Sequence, residues 1–186
     1  MLKKLYLSCC IAALSASSAM TQPDTSAKDV PFGGAAPPEE LKVLAPLVGQ
    51  WTTKSEGRPS LQSKAGFTAT GEMTGQWLHN RHFIRLEGKF AGARYREEAT
   101  VLYSYDAKKK AYRRWLFTSA GLATESLGQW DAEKLTMTWK PLDLPPNVSA
   151  SVVDVIAKDR FTTTLQIKRD DGQVLRDVTV VAKRKK

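Results

Sequence analysis

The chain has 186 residues, of which 42% are hydrophobic and 25% charged, and this length and balance suit a single domain with a buried core. Its formal net charge of +9 permits attraction to anions, but the basic residues form no dense stripe in the body of the chain. We therefore expect a solvated basic surface and no nucleic-acid partner.

Residues 1–19 are predicted to be a secretory signal peptide. Two lysines precede an apolar run from Leu5 to Leu14, and small residues then lead to a cleavage site after Ala19. A membrane span needs about 20 apolar residues, so this run is too short to be one. A short buried helix is the competing interpretation. The pattern predicts export to the periplasm or the medium, with no transmembrane segment.

Both cysteines, Cys9 and Cys10, lie inside this segment. Neither follows the residues that a lipid-accepting cysteine requires, so we expect no lipid anchor. Removal of the first 19 residues, which carry two lysines and no acidic residue, would leave 167 residues with a net charge of +7 and no cysteine. Such a protein has no disulfide and no thiol chemistry, and burial must stabilise it.

A flexible leader is predicted over residues 20–38, which are rich in small residues and proline. The domain is expected to occupy residues 39–186 and to open with a short helix. Prolines and acidic residues suit its first turn, and Gly49 ends it. Its apolar stripe at helical spacing comprises Leu41, Leu44, Leu47 and Val48.

From Trp51 onward, β-branched and aromatic residues recur with a period of two, which is typical of strands. Turn residues separate ten such segments. The predicted strands are Trp51–Ser55, Phe67–Leu78, Arg81–Glu87, Glu97–Tyr105, Ala111–Thr118, Ala123–Trp130, Lys134–Trp139, Ser149–Ala157, Arg160–Lys168 and Val174–Ala182.

Short connections favour antiparallel pairing in sequence order. About ten strands in a meander leave two exposed edges unless the sheet closes. We therefore predict an all-β fold, an antiparallel meander closed into a barrel with the short N-terminal helix plugging one end. A β-sandwich is the alternative. The proline-rich connection Pro141–Asn147 cannot continue a ladder, and it is either a lid at the barrel mouth or a stiff exposed linker.

Several short motifs support a family resemblance. The stretch Leu47–Trp51 resembles the L-x-G-x-W entry of lipocalin-like, or calycin, barrels. More closely, the chain resembles the bacterial lipocalin-like family called domain of unknown function 1579. The matching stretches are Gly49-Gln50-Trp51, Trp77-Leu78-His79-Asn80-Arg81-His82-Phe83, Tyr103-Ser104-Tyr105-Asp106, Tyr112-Arg113-Arg114-Trp115, Asp170-Asp171-Gly172 and Ala182-Lys183-Arg184.

The resemblance implies that Trp51 closes one end of the barrel and that a late arginine packs over it as a cation–π contact. Arg184 is the first candidate and Arg176 the second. The family often has two glycines where this chain has His79-Asn80, which implies a tight turn there. The family's function is undefined, so the resemblance bears on the fold.

Metal, haem and catalytic chemistry lack support in the sequence. His79 and His82 are the only histidines, and they could form a cross-strand pair if the turn were Asn80-Arg81. A zinc site needs further ligands, and none lies nearby. Related haem-binding barrels use a late histidine, which this chain lacks. We therefore expect no metal, no cofactor and no nameable catalytic residue.

The candidate ligand-binding residues combine aromatic and ionisable side chains. Alternation puts Arg114 and Trp115 on opposite faces, and at most one of Glu97 and Glu98 faces inward. Gly75, on the face of Trp77, could leave room for a ligand. The predicted set is Trp77, His82, Arg85, Glu98, Tyr103, Arg114 and Trp115.

The favoured function is binding of a small hydrophobic or amphipathic ligand inside the barrel. A barrel enzyme, of isomerase or hydrolase type with an inward Arg/Glu/His cluster, is one alternative. An envelope structural or partner-binding module with a broad apolar surface is the other.

Overall fold

A computed structural model of the chain describes residues 36–93 and 95–186. The predicted signal peptide and all but the last residues of the predicted leader lie outside the described residues. The domain that follows is all-β apart from one short helix, as the sequence predicts.

The helix is a 3₁₀ helix over Glu39–Leu47. The buried side chains of the helix are those of Leu41, Leu44 and Leu47. They form the apolar stripe that the sequence predicts, with the exception of Val48. Pro46 lies inside the helix and has no N–H to donate, so an α-helical hydrogen bond cannot form from that position.

Ten strands follow the helix. They are β1 (Gly49–Gly57), β2 (Phe67–Leu78), β3 (Phe83–Gly92), β4 (Tyr95–Asp106), β5 (Ala111–Thr118), β6 (Ala123–Asp131), β7 (Thr136–Pro141), β8 (Val148–Ile156), β9 (Arg160–Arg169) and β10 (Val174–Arg184).

The strands form a closed barrel in which each strand pairs antiparallel with its sequence neighbour. Closure comes from β1 and β10, whose register aligns Trp51 with Arg184 and Gly57 with Val178. A sandwich would leave these strands unpaired, so the closed ladder rules out that alternative and confirms the predicted barrel. Closure also removes the sheet edges through which strands of different molecules pair.

The β2–β3 connection corrects the predicted start of the third strand. Strand β3 begins at Phe83 and pairs with Leu78, so the turn spans four residues instead of two. His79, Asn80 and Arg81 all have positive φ, which a ladder residue does not adopt. A cross-strand pair of His79 and His82 therefore does not form.

The helix and Trp51 fill one end of the barrel, which we call the closed end. Trp51 is fully buried, its Nε1 donates to the Leu47 carbonyl at 3.0 Å, and its ring meets Phe161 edge-on at 4.9 Å. A Cβ on Gly75 would lie 2.1 Å from the Leu47 carbonyl oxygen. The room that Gly75 leaves is thus taken by the helix, and the expectation that it leaves space for a ligand is wrong.

Candidate functional site

Beyond the closed end, the barrel interior holds a cavity of about 360 Å³. It reaches the opposite end of the barrel, the mouth, where the connections that follow the odd-numbered strands lie. Most side chains around it are apolar because alternation along every strand turns one face inward. Among them are Met73, Leu86, Phe90, Val101, Leu116, Ala150, Val152, Phe161, Leu165 and Val180.

Polar side chains form a row across the cavity floor. Tyr103 on β4 lies opposite Arg114 on β5, and Arg114 lies opposite Ser126 on β6. All three side chains line the cavity, and their exposed fractions are 3%, 8% and 1%. The row therefore brings a guanidinium and two hydroxyl groups together at the inner limit of an apolar chamber.

A buried carboxylate lies close to this row. Asp154 is 2% exposed and accepts a hydrogen bond from Trp139 Nε1 at 2.7 Å and another from Thr163 Oγ1 at 2.5 Å. The Trp139 ring also contacts Tyr103, with centroids 5.5 Å apart, and lies 6.0 Å from the Arg114 guanidinium carbon. Neutral donors thus satisfy both carboxylate oxygens of Asp154.

The environment of Tyr103 keeps its hydroxyl protonated. Burial is the largest cause that raises the pKa of Tyr103, and the charge of Asp154 raises it further. Arg114 opposes both through its charge and a hydrogen bond, but the net shift is strongly upward. At neutral pH, Tyr103 is therefore a hydrogen-bond donor and not a base.

A second ionisable cluster lies near the mouth. The Tyr95 hydroxyl donates to the Glu97 carboxylate, and Arg176 Nη2 lies 3.8 Å from Glu97 Oε2. The Tyr95 ring stacks on Phe67 at a centroid distance of 4.3 Å. Burial, followed by the hydrogen bond to Glu97 and its charge, raises the pKa of Tyr95. The ionisable groups of this cluster are therefore paired with one another.

The proline-rich connection reaches the same cavity. Pro141, Asp143, Leu144 and Pro145 all line it. The Leu142 N–H donates to the Glu125 carbonyl at 2.9 Å, which ties the start of the connection to β6. The segment therefore forms part of the cavity wall at the mouth, and it is not a linker held away from the barrel.

The structure divides the predicted ligand-binding residues. Tyr103 and Arg114 line the cavity. Arg85, Glu98 and Trp115 belong to the outward face, so they lie away from it. Arg85 pairs with Glu87 at 3.4 Å, Glu98 pairs with Lys89 at 3.1 Å, and the Arg113 guanidinium lies 4.8 Å from the Trp115 ring centroid.

Trp77 and His82 lie toward the closed end. Trp77 is half-buried against the core near the end of β2. His82 belongs to the β2–β3 turn, and its carbonyl accepts a hydrogen bond from Ser104 Oγ at 3.2 Å. The strand phase and the four-residue turn thus leave both side chains outside the cavity lining.

Sequence reasoning missed Glu97, Arg176 and Asp154. The phase of β4 held a usable signal, since an inward Tyr103 requires an inward Glu97 six residues earlier. The resemblance offers Arg176 only as the second candidate for the arginine that packs over Trp51. No local pattern shows that Asp154 meets Trp139 and Thr163, because these contacts depend on the register of three strands.

Arg184 caps the closed end in the way that the resemblance implies. Its guanidinium carbon lies 4.3 Å from the Trp51 ring centroid. The same group donates to the carbonyls of Val48 at 2.9 Å, Pro46 at 2.8 Å and Lys158 at 2.8 Å. One side chain therefore joins the helix, the start of β1 and the β8–β9 turn.

A wider depression, of about 1010 Å³, lies on the outer face of β2 to β5. Its charged lining includes Glu72, Glu87, Lys89 and Glu98, and it faces solvent, so we place the candidate site in the barrel interior. Within residues 36–93 and 95–186, no group of three or more His, Cys, Asp or Glu side chains could hold a metal. No helix in that part of the chain is long and apolar enough to cross a membrane.

A closed antiparallel barrel of ten strands, with a helical plug at one end and an apolar chamber reaching the other, places the chain in the class of lipocalin-like β-barrels. Residues 36–184 match the model of the family described as "Protein of unknown function (DUF1579)", and the chain belongs to that family. No curated protein matches the chain.

Solved structures share the fold at low sequence identity. The structure of Rv2717c from M. tuberculosis matches with a TM-score of 0.62 and 14% identity, over 81% of this chain and 99% of that one. The S-type phycobiliprotein lyase CPES from Guillardia theta matches with a TM-score of 0.54 and 11% identity, over 78% of this chain and 92% of that one.

Proposed function

We propose that this protein is an exported barrel that binds a small hydrophobic or amphipathic molecule in its interior. The observation that carries the proposal is the cavity of about 360 Å³, walled mainly by apolar side chains and reaching the mouth. Ligand pockets in proteins typically measure about 300–1,000 Å³, are mostly apolar and contain few polar groups. A barrel filled by its own side chains would have had no such space.

Export rests on the sequence pattern of residues 1–19, which combines two lysines, an apolar run and small residues before Ala19. A chain cleaved there carries no cysteine, and the described domain gains its stability from a continuous buried core. Mass spectrometry of the protein recovered from the periplasm or medium of its host should give a mature N-terminus at residue 20. Recovery of the uncleaved chain from the cytoplasm alone would contradict export.

The enzyme alternative also has an observation in its favour, since ionisable groups surround the cavity at its floor and near its mouth. However, the pKa values of Tyr95 and Tyr103 are both raised, so these hydroxyls hold their protons at neutral pH. The Tyr95 proton is already donated to Glu97, whereas the Tyr103 hydroxyl can orient a ligand by donating a hydrogen bond, and neither group abstracts protons. Binding is therefore the function that the geometry supports best.

Filling the cavity tests the proposal. Ala150 lines the cavity from β8, and Ala150→Trp should occupy much of it. Nile red, an uncharged dye that fluoresces in apolar surroundings, should bind the wild type and bind the variant at least about tenfold more weakly, because the lost apolar contact area drives binding. Fluorescence titration measures both affinities.

Val155→Trp is the matched control, because Val155 lies on the same strand and is 46% exposed on the outer face. It should leave Nile red binding unchanged. Overpacking an interior costs about 1–3 kcal/mol, so circular dichroism must show that Ala150→Trp remains folded. Absence of dye binding by the folded wild type, or equal binding by the two tryptophan variants, would refute interior binding.

A further inference from the structure

The floor of the cavity carries a buried cation. Arg114 is 8% exposed and lines the cavity from the middle of β5, with Tyr112 on its closed-end side and Leu116 on its mouth side. A charge in such a place loses its hydration at a large cost in free energy unless an opposite charge or hydrogen-bond acceptors compensate it. The partners of Arg114 therefore decide what the cavity floor accepts.

Among the described residues, those partners include the Tyr103 hydroxyl but no directly paired carboxylate. None of the ion pairs formed among residues 36–93 and 95–186 includes Arg114. In the same part of the chain, its Nε has no hydrogen-bond partner. The nearby carboxylate of Asp154 already accepts from Trp139 and Thr163, one donor to each oxygen.

The groups beside Arg114 suit an acceptor. Tyr103 and Ser126 flank it on the neighbouring strands and line the same cavity. The raised pKa of Tyr103 keeps its hydroxyl available as a donor. A guanidinium flanked by hydroxyl groups matches a carboxylate, whose two oxygens accept several hydrogen bonds at once.

The local charge favours one negative charge over two. Arg114 contributes the cation at the floor, and Asp154 is near enough to act electrostatically on Tyr103. A monoanion would neutralise Arg114, whereas a dianion would add a second charge that Asp154 repels. This balance selects a carboxylate in preference to a phosphate monoester.

The cavity between the floor and the mouth is apolar. Along β5, Thr118 lies four positions beyond Arg114 toward the mouth, or about 13 Å at the rise of an extended strand. Leu116 lines this stretch, with Val101 and Ala150 on other strands. A flexible hydrocarbon chain directed toward the mouth would contact these side chains.

We infer that the interior ligand is a small organic acid with an apolar body, whose carboxylate binds Arg114 between Tyr103 and Ser126 at the cavity floor. The inference rests on the proposed binding function and narrows it to a ligand class. It also assigns the buried arginine to the ligand and not to the stability of the barrel.

Titration calorimetry with three probes of equal chain length tests the inference. Decanoate carries one negative charge at neutral pH, decanol none and decyl phosphate close to two. A hydrogen-bonded ion pair replacing a neutral contact is worth roughly 10-fold to 100-fold in affinity. The wild type should therefore bind decanoate at least about tenfold more tightly than decanol, and also more tightly than decyl phosphate.

Arg114→Gln should abolish the preference for decanoate and leave decanol binding within about twofold, because decanol carries no charge for the guanidinium to attract. Arg114→Lys should retain part of the preference. Arg85→Gln is the matched control, since Arg85 lies on the outer face and pairs with Glu87 at 3.4 Å. It should bind all three probes like the wild type.

The outcomes separate the inference from the function on which it rests. Binding of neither decanoate nor decanol by the folded wild type would refute both. Equal affinity for decanoate and decanol, or tighter binding of decyl phosphate, would refute the carboxylate site while interior binding stands. A full preference for decanoate over decanol in folded Arg114→Gln would also refute the carboxylate site and leave interior binding intact. The wild-type comparison decides the matter even if Arg114→Gln does not fold.

Discussion

At the scale of single residues, the chemistry of a tyrosine or arginine depends on whether its side chain is buried in the barrel or lies on the outer face. Arg85 and Arg114 both lie on strands rich in apolar residues, yet Arg85 pairs with Glu87 on the outer face and Arg114 lines the cavity. Tyr103 shares the floor with Arg114 and is almost completely buried. Its proton is therefore coupled to folding.

Tyr103 should make the protein sensitive to alkali. Its native pKa lies above the ordinary value of 10.0, so above pH 10.0 the unfolded state releases a proton that the native state keeps. Stability contributed by this group is complete below pH 10.0 and falls above it, by up to about 1.4 kcal/mol per pH unit. Urea unfolding of the wild type and Tyr103→Phe across this range should show a steeper decline for the wild type.

Tyrosinate absorbance provides the control. The difference in tyrosinate absorbance between the wild type and Tyr103→Phe reports the ionisation of Tyr103. In urea this difference should titrate near pH 10.0. In buffer it should titrate at higher pH, or appear only when the protein unfolds. If that difference titrates near pH 10.0 while the protein remains folded, the hydroxyl is not buried and the coupling is disproved.

At the scale of elements, the helix lies inside the barrel and occupies part of its interior. It fills the closed end and leaves the mouth side empty, because Leu41, Leu44 and Leu47 all pack inward. Gly75 permits this arrangement by letting the Leu47 carbonyl approach β2. The helix and the cavity therefore divide one enclosed space between them.

Gly75→Ala should loosen the contact between the helix and the barrel. The new Cβ would lie 2.1 Å from a backbone oxygen and 2.8 Å from Leu86 Cδ2, so the helix must shift. We expect a loss of about 1–3 kcal/mol in the free energy of unfolding, the usual cost of overpacking. Urea denaturation measures it.

Thr74→Ala is the control for this substitution, because Thr74 is the exposed neighbour of Gly75 on β2. It should change the unfolding free energy by less than about 0.5 kcal/mol. Equal stability of Gly75→Ala and the wild type would show that the Leu47 carbonyl does not pack against Gly75 of β2.

The same elements show what the sequence can and cannot predict. Period-two alternation and turn residues are local signals, and they suffice for ten strands and a closed meander. Tyr103 and Glu97 lie six residues apart on β4 and therefore share a face. An inward Tyr103 thus predicts that Glu97, and not Glu98, faces the interior. The sequence predicts a turn at His79-Asn80 but not its extension to His82, which depends on a third positive φ at Arg81, and the Asp154 contacts depend on long-range register.

At the scale of the whole molecule, the barrel depends on the joint between its first and last strands. Seven aligned residue pairs connect β1 to β10, and the joint begins at Trp51 and Arg184. Separation of these two strands would reopen both sheet edges and release the plug, because Arg184 also binds carbonyls of the helix and of the β8–β9 turn. Closure of the barrel and seating of the helix are thus linked through one side chain.

Arg184→Ala should therefore destabilise the closure more than the loss of one surface charge would. It removes a cation–π contact with Trp51 and hydrogen bonds to three carbonyls, so we expect a loss of about 2–3 kcal/mol in unfolding free energy. Hydrogen exchange should rise first in β1 and β10, since their ladder loses its end contact.

Arg184→Lys should recover only part of the loss, because an ammonium cannot reach all three carbonyls from one position over the ring. Lys183→Ala, an exposed position on the same strand, should change little. Uniform exchange across the barrel, or equal stability of the two alanine variants, would show that closure does not depend on Arg184.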